Sequence, residues 1–162
     1  MIFDEKSTTH CYSIIKRMAE TYQSVSFTPH ITLSGTPNWE RNRIEKAIEE
    51  IADETQPLKL KTTSLRCSSN PYQKMTHGIQ KTPRLSSLHQ KTDAAFKGDY
   101  TKKAYPHISY LYSRLECSAI SHEIKQAEKE APQEILANRL ALIRCKGTPE
   151  AWKTLTIWEL ND

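Results

Sequence analysis

Apolar residues fall at helical spacing in four stretches of the chain and at strand-like spacing between them. In residues 9–22, Ile14, Ile15, Met18 and Tyr22 line one helix face, with Ser7 and Thr8 as polar capping candidates before it. Residues 27–33 read as a short strand, with Pro29 near its start, where a missing N–H costs the ladder least. Asn38 is placed to cap a second helix on which Ile44, Ala47, Ile48 and Ile51 recur, and Pro57 stops it. Two extended stretches follow, about 58–67 and 72–80, separated by the turn signal Ser68-Ser69-Asn70-Pro71. The order then repeats. A helix capped by Thr82, with Pro83 in its first turn and Leu85, Leu88, Ala95 and Phe96 inside, ends at Gly98-Asp99. A strand at 108–112 and a helix at 119–130, broken by Pro132, lead to strands at 135–145 and 152–160 around Lys146-Gly147-Thr148-Pro149. Each half therefore reads helix, strand, helix, strand, strand.

Within the first short strand stands Pro29-His30-Ile31-Thr32, and at the matching place in the second half stands Pro106-His107-Ile108-Ser109. Four positions agree in kind at equivalent points, which favours an internal duplication over coincidence. Strand side chains alternate between faces, so His30 and Thr32 share one face, as do His107 and Ser109, while Ile31 and Ile108 turn to the buried side. Two such pairs facing across a cleft supply what phosphodiester hydrolysis needs near pH 7. A neutral imidazole can deprotonate water, an imidazolium can protonate the departing oxygen, and the hydroxyls can donate to the phosphate oxygens. Neither motif has an acid, Cys or second His beside it at ligand spacing, so neither a metal nor another cofactor is expected.

Composition narrows the setting. The 162 residues suit one domain, 37% of them are hydrophobic, and no apolar run reaches the ~18 residues of a membrane span. Residues 1–6 lack the charged-then-apolar order of a secretory signal, so a cytoplasmic home is expected. With only 4 Gly there is neither a dinucleotide fingerprint nor a Walker-type loop, and any phosphate must be held by side chains. Cys11, Cys67, Cys117 and Cys145 are scattered without a close pair and read as reduced thiols. A net charge of +4 suits a small anionic nucleotide or an RNA terminus without demanding either.

The paired motifs resemble those of the 2H phosphoesterase superfamily, and most closely its cyclic phosphodiesterases. The segment Lys81-Thr82-Pro83-Arg84-Leu85-Ser86-Ser87-Leu88-His89 and the tail Tyr110-Leu111-Tyr112 carry the likeness further. The resemblance implies an α+β, bilobal domain over 1–162, built from half-repeats at about 7–80 and 81–162 whose two antiparallel sheets face a central cleft. It implies hydrolysis of nucleoside 2',3'-cyclic or ADP-ribose 1'',2''-cyclic phosphate, with His30 and His107 catalytic and Thr32 and Ser109 binding phosphate. Tyr112 matches an aromatic position near the family's substrate site, though a strand-end aromatic in the core is an equal reading. Tyr72 and Gln73 begin a strand near the cleft, with Tyr72 a candidate wall for the base. The family's aromatic first strand is reduced here to Met1-Ile2-Phe3, with Phe3 a stand-in for base stacking.

Of the other histidines, His77 is a candidate to reach the cleft, whereas His10, His89 and His122 fall in helices. Lys102 and Lys103 precede the second motif and can draw a phosphate inward. Trp39 reads as a helix-start contact and Trp152 and Trp158 as strand packing. Two alternatives stay open: a 2'-5' RNA ligase-like or RNA-end-processing enzyme using the same four residues, and a non-catalytic nucleotide- or RNA-binding module. A monomer is expected, with no membrane partner.

Overall fold

The computed structural model describes residues 1–36, 38–96 and 105–161; Gly98-Asp99, Lys102 and Lys103 lie outside them. The described residues form four α-helices and a six-stranded antiparallel sheet. Helix α1 (Glu5–Tyr22) starts a turn before its expected place, because Asp4 rather than Ser7 or Thr8 is the cap and accepts Ser7 N–H at 3.0 Å. Ser7 is instead buried, its hydroxyl accepting the Leu136 N–H at 3.1 Å. Cys11, Ile14, Ile15 and Met18 form the sealed stripe of this helix. Helix α2 (Arg41–Asp53) buries Ile44, Ile48 and Ile51 but begins after Glu40, so Asn38 does not cap it.

The second pair of helices follows the sequence closely. In α3 (Pro83–Ala95), Thr82 caps Leu85 N–H at 3.2 Å, Pro83 opens the first turn, and Leu85 and Leu88 face the core. Helix α4 (Ser121–Glu130) turns Ala127 inward and stops before Pro132.

The strands are β1 (Ile2–Phe3), β2 (Leu58–Cys67), β3 (Met75–Ile79), β4 (His107–Leu111), β5 (Glu134–Arg144) and β6 (Lys153–Glu159). They run in the order β1-β5-β2-β3-β4, with β6 also on β5. Ala137 pairs with both Phe3 and Leu58, and Arg139 with both Ile2 and Glu159; β1 therefore holds one edge of β5 while β2 and β6 share the other in succession. The expected pair of separate sheets is not what forms. Strand β2 is ten residues long, enough to pair with β5 over 58–61 and with β3 over 62–67, and it joins both groups into one path.

Two expected strands are also corrected. Residues 27–33 make no ladder; a lone antiparallel bridge joins Ile31 to Ile108. Pro29 removes one donor, and both backbone groups of Ile31 go to Met1, which donates its amine to Ile31 O at 2.8 Å and accepts Ile31 N–H at 2.9 Å. The stretch expected as a strand from 72 begins instead with a 3₁₀ turn, Pro71–Gln73, because Asn70 caps it by accepting Tyr72 N–H at 3.0 Å and Pro71 opens it. Strand pairing starts only at Met75.

The thiols are not all reduced. Cys67 and Cys117 form a disulfide that closes 50 residues of sequence, whereas Cys11 is a buried and Cys145 an exposed free thiol. The pairing follows from topology: β2 ends beside the turn into β3, and the 3₁₀ turn Cys117–Ile120 follows β4, which lies on the far side of β3. Among the described residues no helix is long and apolar enough to cross a membrane.

Candidate active site

Strand β4 is laid on β3 with His107 opposite Gly78, Ile108 opposite His77 and Ser109 opposite Thr76. Its alternation seals Ile108 completely and turns His107 and Ser109 to the other face. The bridge between Ile31 and Ile108 brings the first motif against this strand. Continued in its antiparallel sense, the bridge sets His30 opposite Ser109 and Thr32 opposite His107. Ile31, like Ile108, is fully buried, so alternation again directs the imidazole and hydroxyl to the opposite side. All four side chains line one cavity of about 690 Å³, within the range of small-molecule sites, ~300–1,000 Å³.

The two imidazoles are held alike. His30 Nδ1 lies 2.8 Å from Thr28 O, and His107 Nδ1 lies 2.9 Å from Tyr105 O, in each case the carbonyl two residues back across a proline. A carbonyl only accepts, so Nδ1 carries the hydrogen in both rings and proton exchange is left to Nε2. Proline's fixed φ and the extended bias it imposes on the residue before it hold that carbonyl in place. Beyond this, Tyr105 stacks on His107 at 5.5 Å and 15°. Room for that ring comes from Gly78, where a methyl would collide with Thr63 Oγ1 and Tyr105 Oη.

Around Ser109 and His30 lies an aromatic cluster. Tyr112 stacks on Phe27 at 3.9 Å and meets Tyr72 edge-on at 5.8 Å. Phe27 in turn meets the His30 ring at 6.4 Å. Trp152 completes the cluster, 6.2 Å from Tyr72 and 6.0 Å from Tyr112. Ser109 donates to Tyr72 O at 3.1 Å, so its hydroxyl has to swing to reach a ligand. Burial first, then the neighbouring Cys145, push the Tyr112 phenol up, with a Ser109 hydrogen bond opposing them; it stays neutral near pH 7. Cys145, also in the lining, is pushed up by burial, which disfavours the reactive thiolate.

The cleft thus gathers His30, Thr32, His107, Ser109, Tyr72 and Tyr112, and it does not gather every candidate. His77 pairs with Ile108 and shares its face, away from Ser109. Its ring lies 3.2 Å from Tyr110 Oη and 3.1 Å from Thr63 O, and burial lowers its pKa. His10 contacts Glu130 O at 2.6 Å and is not among the described residues lining the cavity. Phe3 is sealed in the core, and Met1 rather than Phe3 lines the cleft. Trp39 sits against Phe96 with the Arg43 guanidinium 3.7 Å over its ring, and Trp158 packs on the core as expected. Trp152 departs from its expected role in strand packing. It follows the 3₁₀ turn Pro149–Ala151, ahead of β6, and the signal that could have marked it is Pro149 after Gly147, which delays the strand.

The chain matches none of the protein-family models and none of the curated proteins with which it was compared. Its likeness to a family rests on its own motifs. No group of three or more His, Cys, Asp or Glu side chains gathers among the described residues, and none is assigned to a metal.

Proposed function

We propose that this protein is a two-histidine cyclic phosphodiesterase of the 2H phosphoesterase kind, opening nucleoside 2',3'-cyclic or ADP-ribose 1'',2''-cyclic phosphates. The observation that carries the reading is the bridge between Ile31 and Ile108, whose antiparallel sense pairs the imidazole of each motif with the hydroxyl of the other. Water attacks phosphorus as one Nε2 takes its proton. The ring P–O bond breaks, and the second Nε2–H protonates the departing ribose oxygen, leaving a phosphomonoester. Thr32 and Ser109 donate to the non-bridging oxygens, where charge grows. No step is assigned to a metal.

The same local lock on both imidazoles supports the reading of the chain as two αβαββ half-repeats within one domain. A monomer in the cytoplasm completes the proposal. The Cys67–Cys117 disulfide weighs against that compartment, since such bonds persist chiefly in oxidising ones.

The test is incubation with these cyclic phosphates in EDTA, followed by phosphorus NMR. Conversion to a monoester with a bell-shaped pH dependence is expected. No turnover of any of them would falsify the hydrolase reading, and turnover abolished by EDTA would overturn the metal-free scheme.

A further inference from the structure

Beyond the four motif residues, the cleft continues along β5. Residues 140–146 all line the cavity, and Arg144 at the end of β5 and Lys146 in the turn that follows are the cations among them. Gly147, with φ of 80°, makes that turn. Arg144 is directly opposite Lys153 on β6, a like-charge pair that costs a sheet stability. Among the described residues neither Arg144, Lys146 nor Lys153 is in an ion pair. The acid of the turn, Glu150, is hydrogen-bonded to Thr148, and that bond lowers its pKa. Two cations, Arg144 and Lys146, therefore line the cavity that holds both motifs, and no carboxylate is among its described lining residues.

The same cavity is lined by Tyr72, Tyr112 and Trp152. Tyr72 receives the Ser109 hydroxyl on its carbonyl, yet the residue is 51% exposed and its ring is stacked toward Trp152 at 27°. An exposed aromatic face in the same cavity as two cations suits a base or sugar that carries phosphate on both sides.

We infer that Arg144 and Lys146 form a second anion subsite, which takes a phosphate on the 5′ oxygen of the ribose whose cyclic phosphate lies at the histidines. The inference rests on the proposed cyclic phosphodiesterase reading and narrows its substrates to those with a second phosphate. Two sources share this chemistry: the internucleotide phosphate at an RNA 3′ end and the pyrophosphate of an ADP-ribose cyclic phosphate.

The first measurement needs no turnover. Calorimetric titration of the full chain compares adenosine 3′-monophosphate with adenosine 3′,5′-bisphosphate. The bisphosphate is expected to bind about tenfold more tightly, an advantage that shrinks with added salt and drops below about threefold in the Arg144→Ala, Lys146→Ala double variant. Lys125→Ala, which removes a cation from α4, should leave it intact. Equal binding of the two ligands, or a full advantage retained in the double variant, overturns the subsite while leaving the phosphodiesterase reading standing. Failure of the folded protein to bind either ligand overturns both. In turnover, kcat/KM for a dinucleotide ending in a 2',3'-cyclic phosphate and for ADP-ribose 1'',2''-cyclic phosphate should each exceed that for adenosine 2',3'-cyclic phosphate. The larger gain names the source, and no gain for either counts against the subsite.

Discussion

The two motifs carry the same residues on unequal supports. His107 and Ser109 stand on a five-residue strand laddered to β3 and followed closely by a disulfide-anchored turn. His30 and Thr32 stand on a segment with one bridge to β4 and one reciprocal hydrogen-bonded pair with Met1. Yet each imidazole is held by the same carbonyl two residues back, at 2.8 and 2.9 Å. Orientation of the imidazole is thus a local property of X-Pro-His, and the isoleucine between the polar residues is what docks one motif on the other. Two like motifs need not have like scaffolding.

The sharpest break in this comparison is removal of either ring. His30→Ala and His107→Ala should each lower kcat by about 10²–10⁴-fold with the circular dichroism spectrum unchanged. Equal losses mean that the weaker support costs the first motif nothing in catalysis; a near-normal rate in either variant contradicts the two-histidine scheme. Thr32→Ala and Ser109→Ala should each cost about 10²–10³-fold, as for a lost donor to developing charge. Of the two, only Ser109→Ala also removes the bond to Tyr72 O, so a change in KM confined to that variant would separate the hydroxyls' roles.

The disulfide braces one motif's side alone. For a closed loop of this length the chain-entropy model gives about 4 kcal/mol, and Cys67→Ser should lower stability by an amount of that order in urea titration. If the brace also positions the second motif, the pH profile of this variant will shift as well as its stability. Gly78→Ala acts on the same motif through Tyr105, and it should reduce kcat more than it reduces Tm. A fall in Tm with kcat preserved would show that the stacked ring does not hold His107.

Acid should tell least strongly between the two sides. Burial depresses the pKa of His77, behind the second motif, so below about pH 6.5 the unfolded chain takes up a proton that the folded one refuses. Stability therefore falls as pH drops from about 6.5 toward the folded value and levels off below it. Urea midpoints at pH 7.5, 6.0 and 5.0 will follow that course in the native chain and flatten in His77→Gln.

Most of the helices and the late strands were legible because the apolar stripes of α1, α2, α3 and α4 and the Thr82-Pro83 start are local signals. The repeated Pro-His-Ile-Thr/Ser was legible for the same reason. What escaped depends on neighbours distant in sequence. Residues 27–33 have strand-like alternation, but they meet the sheet only through the bridge from Ile31 to Ile108 and the hydrogen-bonded pair of Ile31 with Met1. Cys67 finds Cys117 only because β3 and β4 follow β2 across the sheet. Trp152 enters the cleft because β6 begins one residue later, after the 3₁₀ turn. The Asn70-Pro71 turn was visible, whereas its consequence, that Tyr72 leaves the strand and faces outward, was not.

The bridge at Ile31 has one more consequence, for solubility. Strand β4 ends the sheet path, and its outer edge is a row of backbone groups on which a second chain could pair. The His30 segment lies along that edge, so the loop that brings the His30 imidazole into the cleft also keeps the sheet from growing. Substitutions that release it should produce aggregation together with inactivity, the two failures appearing in the same variants.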